Sequence, residues 1–167
     1  ISKTMISELH QTPDLTLSSF SEKDTQNKAK ILGKRIKDGD LILLKGDLGA
    51  GKTRFVQGLT MGINSEQIAR SPTFVLITKY TGNIVLYHCD LFRINTAEEV
   101  IDLELEELLD NGALAVEWPE KGGVYMPKGD LVINTLIKNE SSRQLDFFSH
   151  TERGKSLIEY MKNNLPK

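Results

Sequence analysis

The apolar positions of this chain fall into short runs separated by glycine, proline and charged residues, and the spacing within each run predicts an element. Residues 40–46, DLILLKG, form a continuous aliphatic run closed by glycine, the pattern of a strand covered on both faces. ALAVEW (113–118) reads the same way. LTLSSF (15–20) predicts a short strand. After it, the spacing of Ser19 and Glu22 matches a capping box for a helix over 22–37. Ala29, Leu32, Gly33 and Ile36 share one face of that helix, and Lys28, Lys30, Lys34, Arg35 and Lys37 occupy the rest. A second helix is predicted from about Lys52 to Met61. FVLITKY and NIVLYHC, separated by Thr81-Gly82, predict a hairpin, as do LVINTLIKNE and RQLDFFSH. Thr96 with Glu99 predicts a capped helix ending near Asn111-Gly112, PEKGGVYMPKG a loop, and KSLIEYMKN a terminal helix.

Strands covered on both faces alternating with helices, and hairpins beside them, predict one α/β domain spanning residues 1–167. Its mixed sheet should be parallel at the centre and antiparallel at the edges. A chain of 167 residues can bury roughly 70% of the surface it exposes when unfolded, enough for a core without metal or disulfide staples. With 21 Lys plus Arg against 23 Asp plus Glu, the net charge of -2 is not the footprint of a stand-alone nucleic-acid binder. Any RNA contact is expected from the basic helix at 28–37 or from partner proteins, because Glu98 to Asp110 carries seven acids and no base. The single cysteine, Cys89, cannot form an internal bridge, and the first residues lack a charged-then-apolar leader pattern, so a cytoplasmic setting is expected. No apolar run approaches the ~20 residues that cross a bilayer, so no membrane partner is expected.

Chemistry enters at the tip of the 40–46 run. Gly46-Asp47-Leu48-Gly49-Ala50-Gly51-Lys52-Thr53 fits G-x-x-x-x-G-K-[ST], a loop whose backbone N–H groups surround phosphate oxygens. Glycines permit the close approach and the positive φ angles, and the following helix offers unpaired N–H groups to an anion. Asp47 to Arg54 are therefore the expected nucleotide-binding residues. Lys52 should reach the β- and γ-phosphates and Thr53 should ligate Mg²⁺.

A phosphate cradle does not identify a reaction, so acids at strand ends matter next. Asp90 ends NIVLYHCD and Glu117 ends ALAVE. Either could belong to the Mg²⁺ shell or position the attacking water. His88, two residues before Asp90, reads as a hydrogen-bonded structural histidine, and Trp118 beside Glu117 as a residue either packed in the core or lining the site. A GTPase would need N-K-x-D after the loop, and the one similar string, NKAK at 27–30, precedes it and lacks the acid. A small-molecule kinase would need clustered lid arginines, whereas Arg35, Arg54, Arg70, Arg93, Arg143 and Arg153 are scattered. A nucleotide-driven switch acting on a protein partner asks least of the remaining sequence, and the kinase stands as the alternative.

Taken in order, GDLGAGKT, SPTF (71–74), HCDLFR (88–93) and VEWPEKG (116–122) resemble the TsaE (YjeE) family of bacterial tRNA threonylcarbamoyladenosine (t6A) biosynthesis. The resemblance spans about 40–130. It implies a Mg²⁺-dependent ATPase acting with TsaD and TsaB proteins, which transfer the threonylcarbamoyl group to tRNA. It also implies a switch segment at Ser71–Phe74 with Thr73 near the γ-phosphate, and Asp90 and Glu117 serving metal and water; Trp118, beside Glu117, is the further expected nucleotide-site residue. Phe92 and Val75 depart from the tyrosine and threonine common there, which touches only local hydrogen bonding.

Overall fold

The computed structural model describes residues 11–67, 69–70 and 76–167. Its order of elements is β1 (Leu15–Ser19), α1 (Glu22–Gly33), β2 (Leu41–Gly46), α2 (Lys52–Gly62), β3 (Ile77–Thr81) and β4 (Val85–Asp90). A 3₁₀ segment (Ala97–Leu103), α3 (Leu105–Leu108), β5 (Ala113–Glu117) and a second 3₁₀ segment (Pro119–Tyr125) follow. The chain closes with β6 (Leu131–Ile137), β7 (Arg143–Ser149) and α4 (Glu152–Asn164). The strands form one seven-stranded sheet in the order β1-β7-β6-β2-β5-β4-β3. The four central strands, β6-β2-β5-β4, are parallel, and β3, β7 and β1 add antiparallel edges. This is the mixed α/β sheet the patterning predicts.

Strand alternation divides the core in two. Ile42 and Leu44 of β2 join Ala113 and Ala115 of β5 in the cluster packed beneath α1, α2 and α4. Leu41 and Leu43 join Leu114 and Val116 in a cluster on the opposite face, which α3 and the two 3₁₀ segments cover. A strand flanked on both sides can contain no polar position of its own until its end, which explains why β2 is a single aliphatic run.

Glycines set the approach of α1 to α2. A methyl group on Gly58 would lie 2.3 Å from the Gln26 carbonyl oxygen, and one on Gly62 would lie 2.5 Å from that of Lys30. The two helices therefore meet backbone to backbone. At the start of the parallel strands, Arg153 of α4 donates from Nε and Nη2 to the two oxygens of Asp40, at 2.8 and 2.9 Å. Beside it, Asp130 accepts from the Leu41 N–H and the Thr151 hydroxyl, at 2.8 and 2.7 Å.

Three predicted boundaries are corrected. The cap of α1 is Ser21, whose hydroxyl accepts from the Asp24 N–H at 3.0 Å, while Ser19 bonds the Thr25 hydroxyl instead. That helix ends at Gly33, not at 37. Second, the acidic stretch is not one helix. Glu104 takes a left-handed conformation (φ 50°) between the 3₁₀ segment and α3, so Val100 and Leu105 both bury although no straight helical stripe contains them. The expected Thr96–Glu99 start is present, with the Glu99 carboxylate accepting from the Thr96 N–H at 2.7 Å. Third, the loop after Trp118 contains the second 3₁₀ segment. Among the described residues, no helix is long and apolar enough to cross a membrane.

Candidate functional site

Parallel strands all point their C-terminal ends the same way, and in an open α/β sheet that edge is where ligands bind. Here the edge carries the glycine loop after β2, Asp90 at the end of β4 and Glu117 at the end of β5. Asp90 and Glu117 are direct register partners. Alternation places Leu86, His88 and Asp90 on one face of β4, and Ala113, Ala115 and Glu117 on the matching face of β5, the side on which α2 packs. The two acids and the histidine therefore converge beneath the loop.

Gly49 and Gly51 adopt φ values of 80° and 106°. An added Cβ at either position would meet nothing within 4 Å, so backbone conformation rather than crowding within the chain requires glycine there. Gly51 is also the residue preceding α2 and provides no side-chain cap, leaving the first-turn N–H groups of that helix open. Lys52, only 5% exposed, folds back under the loop. Its ammonium donates to the carbonyls of Gly46 and Asp47, the latter at 3.0 Å, and lies 4.1 Å from the centroid of the Trp118 ring. Burial pushes the Lys52 ammonium below its ordinary pKa, against the opposing pull of Glu117, Glu120, Asp90 and Asp47.

Next to Lys52, the Thr53 hydroxyl is 3.2 Å from each oxygen of Glu117. Glu117, 3% exposed, also meets the fully buried His88, with Nε2 to Oε2 at 2.5 Å. Asp90 accepts the Phe92 N–H at 2.9 Å, which turns the chain out of β4. Trp118 follows Glu117 in a left-handed conformation (φ 57°), and that turn brings its ring over Lys52 and against Phe92, with ring centroids 5.0 Å apart. Lys121 donates to the Phe92 carbonyl at 2.6 Å.

The loop and the two acids open onto a cleft of about 850 Å³. Leu48, Gly49, Ala50, Gly51, Lys52, Thr53, Arg54, Asp90, Glu117 and Trp118 border it. Asp47 stands behind the loop, holding Lys52 and the Ala50 N–H through its carbonyl. Thr73 and the Ser71–Phe74 segment lie outside the described residues. Glu22, Arg70 and Arg93 also reach the cleft, although the sequence reading left them out. It missed the contact between His88 and Glu117 as well. Two-residue alternation from Asp90 was the available signal, since it puts His88 on the same face.

The model of the family "Threonylcarbamoyl adenosine biosynthesis protein TsaE" matches residues 19–145. The tRNA threonylcarbamoyladenosine biosynthesis protein TsaE of Treponema pallidum is 31% identical over 128 residues, covering 76% of this chain and 95% of that protein. The protein of the same name from Nostoc sp. is 42% identical over 134 residues, covering 75% and 80%. Among solved structures, YdiB of Bacillus subtilis superposes with a TM-score of 0.77 at 29% identity, covering 92% of this chain and 97% of that one.

Proposed function

The chain belongs to the TsaE family of threonylcarbamoyl adenosine biosynthesis proteins, and from that membership we propose that it is a Mg²⁺-dependent P-loop ATPase whose cycle drives tRNA t6A modification with TsaD-like and TsaB-like partners. The observation that carries the ATPase reading is the contact of Thr53 with Glu117 beside the buried Lys52, at the mouth of the loop. A lysine, a hydroxyl and a carboxylate gathered at one helix N-terminus suit a nucleotide triphosphate and its metal.

The residues present fit magnesium. Thr53 and Asp90 offer oxygen atoms alone, the donor type a hard cation prefers, with the Glu117 carboxylate beside Thr53. Among the described residues, no group of three or more His, Cys, Asp or Glu side chains is placed to hold a metal. That agrees with a cation held by one or two carboxylates together with substrate phosphates. Bound there, Mg²⁺ would neutralise charge on the β- and γ-phosphate oxygens.

The chain's own groups take the remaining roles. The ammonium of Lys52 leaves the carbonyls of Gly46 and Asp47 for the β- and γ-phosphates. The first-turn N–H groups of α2 hold the α- and β-phosphates. Glu117, steadied by His88 and Thr53, orients the attacking water and accepts its proton, while Asp90 serves the metal shell. Trp118 and Phe92 close one side of the cleft. Calorimetric titration with ATP and Mg²⁺ tests this: the parent chain binds, and Lys52→Ala abolishes binding. An unchanged affinity in that variant would exclude the loop as the phosphate site.

A further inference from the structure

We infer that Arg143, outside the cleft, is a positioning residue that holds the phosphate loop in its binding conformation; this rests on the nucleotide-site reading above. Arg143 opens β7, 93 residues from the loop, and reaches it because β7 returns antiparallel beside β6, which itself runs parallel to β2. Its Nε donates to the Ala50 carbonyl at 3.0 Å and its Nη2 to the Gly49 carbonyl at 3.3 Å. The remaining arm is anchored elsewhere: Nη1 donates to the carbonyls of Asn139 and Ser142 in the turn between β6 and β7, at 2.9 and 3.0 Å. One guanidinium thus ties a rigid hairpin to two consecutive carbonyls of a loop rich in glycine.

The consequence follows from peptide geometry. A trans peptide points its C=O and N–H in opposite directions. Holding the Ala50 carbonyl toward Arg143 therefore turns the Gly51 N–H away from it, and Gly51 borders the cleft. The preceding peptide is fixed at both ends, because the Ala50 N–H donates to the Asp47 carbonyl at 3.0 Å while the Gly49 carbonyl faces Arg143. Gly49 and Gly51 have no side chains to restrain them, so this external grip supplies order that the loop sequence itself lacks. An arginine suits the task, since its planar fork serves the loop and the turn at once, whereas a lysine ammonium is a single point of attachment.

The test uses the full chain, with Arg143→Ala and Arg143→Lys, and reads three quantities. Amide hydrogen exchange without nucleotide should accelerate at residues 49–53 in Arg143→Ala while β6 and β7 keep their protection. Affinities for ADP and ATP should fall together by roughly tenfold, the scale of one charge-assisted hydrogen bond, with Arg143→Lys recovering part of the loss. The thermal midpoint should move by no more than about 2 °C. Unchanged loop exchange and affinity would overturn the inference, as would exchange accelerating across β6 and β7 with a lowered midpoint, which would make Arg143 a hairpin staple only. Binding that Lys52→Ala abolishes and Arg143→Ala leaves intact sinks the role of Arg143 alone. A parent chain that binds neither nucleotide sinks the underlying site.

Discussion

Glu117 Oε2 lies 2.5 Å from His88 Nε2, and both side chains are buried. A carboxylate withdrawn from water needs partners, and among the described residues His88 and the Thr53 hydroxyl hold it. Replacing His88 by leucine keeps the volume but removes the ring nitrogen. Hydrolysis by the assembled complex should then fall by about 10- to 100-fold, with a smaller loss of ATP affinity. His88→Gln, which restores an N–H donor, should recover part of the rate. Unaltered turnover in His88→Leu would show that Glu117 needs no help from β4.

The two acids should separate by substitution with their amides. Glu117→Gln should keep ATP affinity close to the parent's and slow hydrolysis by ~10²- to 10⁴-fold, the usual cost of losing a positioned acid or base. Asp90→Asn retains an oxygen for the Phe92 N–H, so the turn after β4 survives while the charge of the carboxylate is lost. That variant should need more Mg²⁺ for the same occupancy. Identical Mg²⁺ titrations for the two variants would contradict this division of labour.

Gly58→Ala tests the seam between α1 and α2. Its methyl group would press on the Gln26 carbonyl oxygen and, at 2.5 Å, on the Ala29 Cβ. Neither neighbour is the flexible end of a long side chain. Stability should drop by about 1–3 kcal/mol, read as a lower urea midpoint with an unchanged slope. A midpoint equal to the parent's would mean that the helices can part without cost.

Between residues 98 and 110 all seven acids are exposed. Reversing Glu104 and Glu107 to lysine should weaken assembly with the TsaD-like and TsaB-like proteins at low salt, less so at high salt, and leave nucleotide affinity alone. Complex formation that ignores the substitution at low salt would make this surface a solvated face and nothing more. The interruption at Glu104 removes the expectation of one continuous acidic helix, but it leaves all seven acids exposed.

Legibility in the sequence followed the range of the forces involved. β2 and β5 could be read because burial on both faces forces an unbroken aliphatic run, and the loop because positive φ and phosphate approach admit little but glycine. The start of α1 at Glu22 was legible but its cap was misassigned, because Ser19 and Ser21 both offer a hydroxyl and only the packing of Thr25 decides that Ser19 turns inward. The break at Glu104 was hidden for a related reason: a left-handed glutamate is unfavourable locally and is repaid by the burial of Val100 and Leu105 in a core the local sequence does not reveal. Within the cleft, Asp90 and Glu117 announced themselves at strand ends. Arg143 did not, since its place beside the loop depends on how β7 returns along the sheet.

The bidentate grip of Arg153 on Asp40, together with Asp130, lies at the opposite end of the parallel strands from the cleft. The sheet thus has two poles, one that clamps the terminal helix to the strands and one that carries the acids and the glycine loop. The two sets of contacts share no residue, so a substitution at the second pole removes none of the bonds of the first. A copy silenced at Lys52 or Glu117 should therefore still fold and persist, and under the proposed partnership it should compete with intact copies for the same proteins. Its effect in a cell would be interference, where a lesion at Asp40 or Arg153 would produce absence.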